Sequence, residues 1–168
     1  MELNFYMPNV TDELNDLAIE QSHRVKMIFY PTAWASATNS NHNWTITNFP
    51  PNPRNIIPHS PGVYAFVVEP ELFDFSASSG LFYVGKATNL YERIGAYISE
   101  IGKDFSKVRR PHIWTMINRW DGHLKYYFTE TATVNEAEDL EDEMISAFRP
   151  FFNRAFEAEV SNRMRAFT

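Results

Sequence analysis

The sequence predicts an α+β domain in which a small antiparallel sheet is flanked by helices. Short apolar runs rich in β-branched and aromatic residues are followed by segments whose apolar residues recur at helical spacing. The predicted order is two strands, two helices, a strand and a helix, with no internal repeat. Apolar residues form 44% of the 168-residue chain, so one domain with its own core is expected.

The N-terminal part of the chain differs from the rest and predicts an extension with a linker. Thr11 suits the N-cap of a helix with acidic residues in its first turn. Residues 36–43 are polar without periodicity, and residues 49–61 hold five prolines, which excludes a helix or a central strand. The predicted parts are an extension with a proline-rich linker (1–57), a main domain (58–154) and a C-terminal tail (155–168).

The main domain begins with a predicted hairpin and a helix. Residues 63–68 and 81–84 predict two antiparallel strands with a long connection. Thr88 is the predicted N-cap of a helix that runs to about Glu100. The core-facing residues of this helix are expected to be Leu90, Ile94, Ile98 and Ile101.

Two more helices enclose a third strand in the second half of the domain. A helix is expected to start near Pro111, which suits a first helical turn, and to stop at Asp121 and Gly122. Residues 124–129 predict the strand, and residues 134–148 predict the last helix, which ends before a proline.

Two polar features accompany these apolar patterns. Glu141 falls in the middle of the apolar face of the last helix, where a carboxylate loses hydration and needs a cation, a metal ion or several donors. Asn89, Arg93 and Tyr97 are four residues apart and form one helical stripe, with Lys86 just ahead of them. The plainer interpretations are a paired glutamate at the core edge and a half-buried helix rim. Together, however, these groups supply the parts for phosphodiester hydrolysis.

Composition and motifs exclude several other chemistries. The chain has no cysteine, which excludes disulfides, a thiol nucleophile and cysteine-ligated zinc, and its five histidines lack zinc-site spacing. It also lacks phosphate-loop, dinucleotide-binding and nucleophile-elbow motifs. Since no long apolar segment or signal-peptide pattern occurs, a cytoplasmic protein with no membrane partner is expected.

Seven residues in sequence order resemble the GIY-YIG nuclease family. The stretches PGVY, FYVGKATNLYERIGAY and EDEMISAFRPFFN are similar to the N-terminal incision module of the bacterial excinuclease C subunit. The resemblance covers residues 61–153 and implies a central three-stranded antiparallel sheet in a metal-dependent endonuclease that hydrolyses DNA. The site residues it implies are Tyr64, Tyr83, Lys86, Arg93, Tyr97, Glu141 and Asn153.

The resemblance also implies roles that suit these side chains. Tyr64 would be the general base that activates water, directly or through a relay, with Lys86 close enough to favour its phenolate. Tyr83 would position water or phosphate. Arg93, aided by Tyr97, would bind the scissile phosphate and stabilise its charge in the transition state.

The metal and the end of the domain complete the implied site. Glu141 would be the only protein ligand of one divalent ion, Mg²⁺ or alternatively Mn²⁺, which stabilises the leaving oxygen. Asn153 would tie the end of the last helix back to the site by hydrogen bonds.

DNA contact is predicted for a basic segment, although the chain carries a net charge of -6. Between Tyr83 and Lys125 there are eight basic and four acidic residues, and Phe105 and Trp114 lie among the basic ones. A solvated loop is the alternative. The predicted DNA-binding residues are Lys103, Lys107, Arg109, Arg110 and His112.

Two departures from the family pattern bear on the biological role. Residues 69–80 form an insertion, expected to be a surface loop, with a DNA or subunit contact as the alternative. Restriction-type members carry extensions like residues 1–57, and the chain lacks the further domains of a repair subunit. A restriction-like or mobile-element (phage-type) nuclease is therefore expected, acting in the cytoplasm of a bacterium or of a virus-infected host. Because one active site cuts one strand, a double-strand cut would need a homodimer or two successive binding events. The alternatives are a non-catalytic DNA- or protein-binding module and a ribonuclease.

Overall fold

The computed structural model describes residues 42–68 and 80–153, together with Thr32. The strands are β1 (Thr45–Asn48), β2 (Gly62–Val68), β3 (Gly80–Ala87) and β4 (Leu124–Glu130), and the helices are α1 (Leu90–Ile98), α2 (Pro111–Arg119) and α3 (Val134–Phe148). The helix predicted after Thr11, most of the 69–80 insertion and the predicted tail lie outside the described residues.

All strand pairs in the sheet are antiparallel, and the strand order is β1-β4-β2-β3. The predicted α+β class and the β2–β3 hairpin are confirmed, but the described sheet has four strands rather than three. The additional strand, β1, pairs Thr45 with Phe128 of β4. Its sequence, TITN, is mostly exposed at the sheet edge and shows no buried alternation, so local pattern does not predict it.

Part of the proline-rich segment packs onto the domain. Phe49 and Ile57 are buried in the core. The carbonyl oxygens of Pro58 and Ser60 accept hydrogen bonds of 3.0 Å each from the first two N–H groups of α1. Because the first N–H groups of a helix have no partner within the helix, this segment completes the start of α1.

The start and core face of α1 differ from the prediction. The side-chain oxygen of Asn89 accepts a hydrogen bond from the Glu92 N–H at 3.1 Å, so Asn89 is the N-cap and Thr88 is not. The helix ends at Ile98, and Ile101, predicted to face the core, is 36% exposed. Tyr97 is fully buried instead. The three residues of the predicted polar stripe therefore differ in role: Asn89 caps the helix, Arg93 is exposed and Tyr97 lies in the core.

The other two helices follow their local signals closely. Pro111 occupies the first turn of α2, and Gly122 takes a positive φ of 79° soon after its end. The predicted bounds of α3 are confirmed; Thr133 caps it by accepting from the Glu136 N–H at 3.1 Å. Among the described helices, none is long and apolar enough to cross a membrane.

The two faces of the sheet bury different clusters. On one face, Tyr64 of β2 and Tyr126 of β4 pack with side chains from α1 and α2. On the other face, Val63 and Ala65 pack with side chains from α3. Because successive strand residues point to opposite faces, neighbouring residues in β2 and β3 serve different helices.

Candidate active site

A cluster of tyrosines lies between the sheet and α1. The hydroxyl oxygens of Tyr64 and Tyr97 are 2.7 Å apart and form a buried hydrogen bond. Tyr83, which is only partly buried, lies beside both, with its ring centroid 6.2 Å from that of Tyr64 and 6.4 Å from that of Tyr97. Tyr126 stacks on Tyr64 with ring centroids 5.6 Å apart. The sheet and α1 thus bring together three of the predicted site residues, Tyr64, Tyr83 and Tyr97, of which Tyr83 is the closest to solvent.

Glycine at position 85 allows this close packing. Tyr64 lies opposite Gly85 in the β2–β3 register. A Cβ atom at Gly85 would lie 2.4 Å from the Tyr64 hydroxyl oxygen, well below the 3.0 Å that Cβ atoms keep from atoms to which they are not bonded. The backbone of β3 can therefore approach the phenol only without a side chain at this position.

Burial raises the pKa of Tyr64, Tyr97 and Tyr126. Loss of hydration raises the pKa of Tyr64 well above its ordinary value of 10.0, and the neighbouring phenols of Tyr97 and Tyr83 add to the rise. The positive charge of Arg93 opposes it. Arg93 acts in the same sense on Tyr126. The charge that favours a Tyr64 phenolate is therefore the exposed guanidinium of Arg93.

Arg110 is the second arginine at the cluster. Its guanidinium carbon lies 5.1 Å from the centre of the Tyr97 ring, and its charge lowers the pKa of that phenol against the larger effect of burial. Within the described parts of the chain, neither Arg93 nor Arg110 has a carboxylate within ion-pair distance. Two uncompensated cations beside buried phenols form a site that favours an anion.

Lys86 and Glu141 meet on the opposite face of the sheet, near the edge of β3. Lys86 pairs with Val63 in the register, so its side chain projects towards α3. Its backbone N–H donates to Glu141 Oε1 at 3.1 Å, and its ammonium lies 3.8 Å from Glu141 Oε2. The ammonium also forms an ion pair with Glu138. Lys86 therefore orients the carboxylates of α3.

Glu141 is the described carboxylate best suited to a metal ion. Burial raises its pKa, while the Lys86 ammonium and backbone N–H oppose the rise. A carboxylate that has lost hydration gains from a nearby cation, and hard divalent ions prefer such oxygen ligands. No cluster of three or more metal-binding side chains occurs among the described residues. The site thus fits an ion that takes one protein ligand and completes its shell with water and substrate.

Asn153 closes the edge of β3. Its side-chain oxygen accepts from the Val84 N–H at 2.9 Å, and its side-chain nitrogen donates to the Val84 carbonyl at 2.7 Å. The residue is buried. One amide side chain therefore satisfies both backbone groups of an edge strand between Tyr83 and Gly85.

The predicted DNA-binding residues near the start of α2 lie in different environments. Lys103 pairs with Glu100 at 3.2 Å. Lys107 and Arg109 are exposed, whereas Arg110 reaches Tyr97 and His112 is half-buried in α2. Of the five predicted DNA-binding residues, Arg110 thus contacts the tyrosine cluster directly.

Sequence reasoning does not identify every group at the site. Tyr126 has a usable signal, because it alternates with Leu124 and Phe128 on the buried face of its strand. The Lys86–Glu138 pair and the position of Arg110 over Tyr97 join distant parts of the chain, so no local signal could reveal them.

An α+β domain that gathers hydrogen-bonded tyrosines, arginines with no carboxylate partner among the described residues, and a desolvated glutamate has the composition and layout expected of a GIY-YIG-type nuclease domain. The family model described as "UvrC-like GIY-YIG domain" matches residues 60–154. The chain therefore belongs to the UvrC-like GIY-YIG family, a family of nucleases.

Curated relatives support the same assignment. The chain is 34% identical over 97 residues to "UvrABC system protein C" of Agrobacterium fabrum, a match that covers 58% of this chain and 12% of that protein. A protein of the same name from Brucella abortus is also 34% identical over 97 residues, with 13% of its length covered. The chain thus matches only a small part of the length of these relatives.

Proposed function

We propose that this protein is a metal-dependent endonuclease that hydrolyses phosphodiester bonds in DNA. The observation that carries the proposal is the hydrogen-bonded pair of Tyr64 and Tyr97, with the Arg110 guanidinium over the Tyr97 ring and the charge of Arg93 acting on Tyr64. Among the described residues, neither arginine has a carboxylate partner. An anion bound between the arginines would lie next to a phenol that can take a proton. A phosphate diester is an anion, and its hydrolysis is assisted by a base that takes a proton from the attacking water.

Each arginine has a role in this proposal. Arg93 is exposed and acts electrostatically on Tyr64, so it would bind the scissile phosphate and stabilise the charge that develops on it. Arg110 would hold the same phosphate from the side of Tyr97. The exposed Lys107 and Arg109 would bind the DNA backbone further away.

Proton transfer is assigned to the linked hydroxyls. Tyr64 would accept the proton of the attacking water after losing its own through Tyr97 and Tyr83, the hydroxyl closest to solvent. This relay explains how a phenol that is 1% exposed can exchange a proton with solvent.

Glu141 would hold the divalent ion, Mg²⁺ or Mn²⁺. When bound, this ion supplies Lewis-acid stabilisation of the leaving oxygen. The Lys86 backbone N–H fixes one carboxylate oxygen of Glu141, and the Lys86–Glu138 pair keeps a second carboxylate close to it. Asn153 would keep β3, and with it Tyr83 and Lys86, in register.

The biological setting follows from the proposed activity. A restriction-like or mobile-element role remains our preferred proposal, with DNA as the partner and the bacterial cytoplasm as the location. The relatives reported above are bacterial and give a viral origin no support. A double-strand cut would require a homodimer or successive nicks, because one site cuts one strand.

The test is cleavage of supercoiled plasmid with Mg²⁺ or with EDTA, using the wild type beside Glu141→Gln and Arg93→Ala. We expect nicking that needs Mg²⁺ and is lost in both variants. Asp139→Asn, an exposed carboxylate on the same helix, is the matched control and should retain full activity. A wild type that leaves plasmid and RNA intact would contradict the enzymatic proposal and favour a non-catalytic binding module.

The metal assignment has a readout that does not depend on cleavage. Because a ligand that binds only the folded protein stabilises it, Mg²⁺ or Mn²⁺ should raise the melting temperature of the wild type. The rise should be absent in Glu141→Gln and present in Asp139→Asn. Equal rises in all three proteins would show that the ion binds elsewhere.

A further inference from the structure

The hydroxyl of Tyr126 is a buried polar group without a hydrogen-bond partner among the described residues. The side chain is fully buried beside Tyr64. A buried hydroxyl that loses its water and gains no partner destabilises the fold, and native structures leave few such groups unpaired. The group therefore needs an explanation that the proposed roles of the other tyrosines do not supply.

Packing alone does not explain a hydroxyl at this position. Tyr126 shares its sheet face with Phe66 and Phe128, whose ring centroids lie 5.4 Å and 5.9 Å from its own. These neighbours make the same kind of aromatic contact without a polar atom. Phenylalanine at position 126 would fill the space equally well and leave no orphan oxygen.

The position of the ring points to the reaction site. In the β2–β4 register, Tyr64 pairs with Phe128 and Phe66 pairs with Tyr126, so Tyr64 and Tyr126 are diagonal neighbours on one face. Their ring planes differ by 22° and their centroids are 5.6 Å apart. A water molecule can hydrogen-bond the oxygens of two such neighbouring phenols. The charge of Arg93 acts on both phenols, so both lie within the electrostatic reach of the proposed phosphate-binding group.

We propose that the Tyr126 hydroxyl binds the attacking water and holds it between Tyr64 and the scissile phosphate. This inference rests on the proposed nuclease function and adds a catalytic residue to it. In the step, the water oxygen bonds to phosphorus, its proton passes to the Tyr64 phenolate, and the bond from phosphorus to the leaving oxygen breaks. Tyr126 exchanges no proton; it donates its own hydrogen bond or accepts one and so fixes the direction of the water.

The test compares single-turnover cleavage by the wild type, Tyr126→Phe and Tyr91→Phe in Mg²⁺. Tyr126→Phe removes one oxygen and keeps the ring, so the cleavage rate should fall about 10- to 100-fold with unchanged DNA affinity. Its melting temperature should stay level or rise, because the orphan oxygen is gone. Tyr91→Phe removes a hydroxyl from a ring that packs on Arg54 outside the cluster, and it should leave the rate unchanged.

The outcomes separate this assignment from the proposed function. A Tyr126→Phe protein that cleaves at the wild-type rate overturns the role of Tyr126 and leaves the nuclease intact. A wild type that cleaves no DNA overturns both. As a check that needs no activity, a high-resolution crystal structure should show a water within hydrogen-bond distance of the Tyr126 oxygen; a direct protein partner there would contradict the assignment.

Discussion

At the scale of single residues, the site combines the buried phenol of Tyr64, the proposed base, with the exposed Arg93 and the half-buried Arg110. Tyr64 has lost nearly all contact with solvent, and burial favours its neutral form. Arg93 pulls its pKa the other way, but it is not the largest effect. Tyr64 is therefore almost entirely protonated at neutral pH, and the fraction present as the basic phenolate increases as the pH rises.

This balance predicts a specific pH dependence for DNA cleavage. With the pKa of Tyr64 above its ordinary value of 10.0, the phenolate fraction grows about tenfold per pH unit throughout the range from about 6 to 9. Single-turnover rates in Mg²⁺ should rise with that slope and show no plateau below pH ~9. A flat profile, with chemistry rate-limiting, would contradict Tyr64 as the base.

The adjacent residues Arg109 and Arg110 should differ in their effect on cleavage. Arg110 lies over Tyr97, while Arg109 is exposed. Arg110→Ala should lower the cleavage rate by about 100-fold, since it removes a charge next to the reacting phosphate. Arg109→Ala should mainly weaken DNA binding, by less than about tenfold, and should reduce its salt dependence.

The measurement is the cleavage rate and the DNA dissociation constant of both variants at two salt concentrations. Equal losses of rate in the two variants, or a loss only in Arg109→Ala, would contradict the placement of Arg110 in the site. Arg110→Lys keeps the charge without the planar fork and should recover only part of the rate.

At the scale of elements, Asn153 acts as a one-residue partner strand for β3. It satisfies both the N–H and the C=O of Val84. Asn153→Ala would leave both backbone groups buried without partners, at a cost of about 1–3 kcal/mol each. We expect a loss of about 2–5 kcal/mol in the free energy of unfolding, measured by urea denaturation. Asn153→Asp keeps the acceptor for the Val84 N–H but loses the donor to the Val84 carbonyl. Its free energy of unfolding should fall by no more than that of Asn153→Ala.

Loss of the Asn153 hydrogen bonds should also impair DNA cleavage. Val84 lies between Tyr83 and Gly85, so slippage of this edge would displace both the relay tyrosine and the close contact beneath Tyr64. Cleavage should fall together with stability. An Asn153→Ala protein of wild-type stability would show that the two hydrogen bonds are not needed to hold β3.

Elements differ in how far the sequence alone predicts them. The bounds of α3 follow from a cap, an apolar period of 3.6 and a closing proline, all of which are local. In contrast, β1 depends on backbone pairing with residues about 80 positions away, and its side chains carry no burial pattern. The site divides in the same way. Resemblance to the family identifies its motif residues, but the face on which Lys86 lies and the reach of Arg110 depend on the folded chain.

At the scale of the whole molecule, the buried phenols link stability to alkaline pH. Burial raises the pKa of Tyr64, Tyr97 and Tyr126 in the folded state. An unfolded chain ionises these groups near a pKa of about 10, whereas the folded protein keeps them neutral. Their contribution to stability is therefore complete below pH ~10 and is lost as the pH rises above it.

This linkage predicts cooperative unfolding in mild alkali. Each of the three phenols lowers the free energy of unfolding by up to about 1.4 kcal/mol per pH unit above pH ~10, so together they lower it by up to ~4 kcal/mol per unit. Urea denaturation at pH 8, 9, 10 and 11 measures the slope. Tyr126→Phe should reduce the slope by about one third, while Tyr91→Phe, outside the cluster, should not change it. A free energy of unfolding that stays level to pH ~11 would mean that the cluster opens to solvent without unfolding, and the site would then be too wet to hold Tyr64 as a buried base.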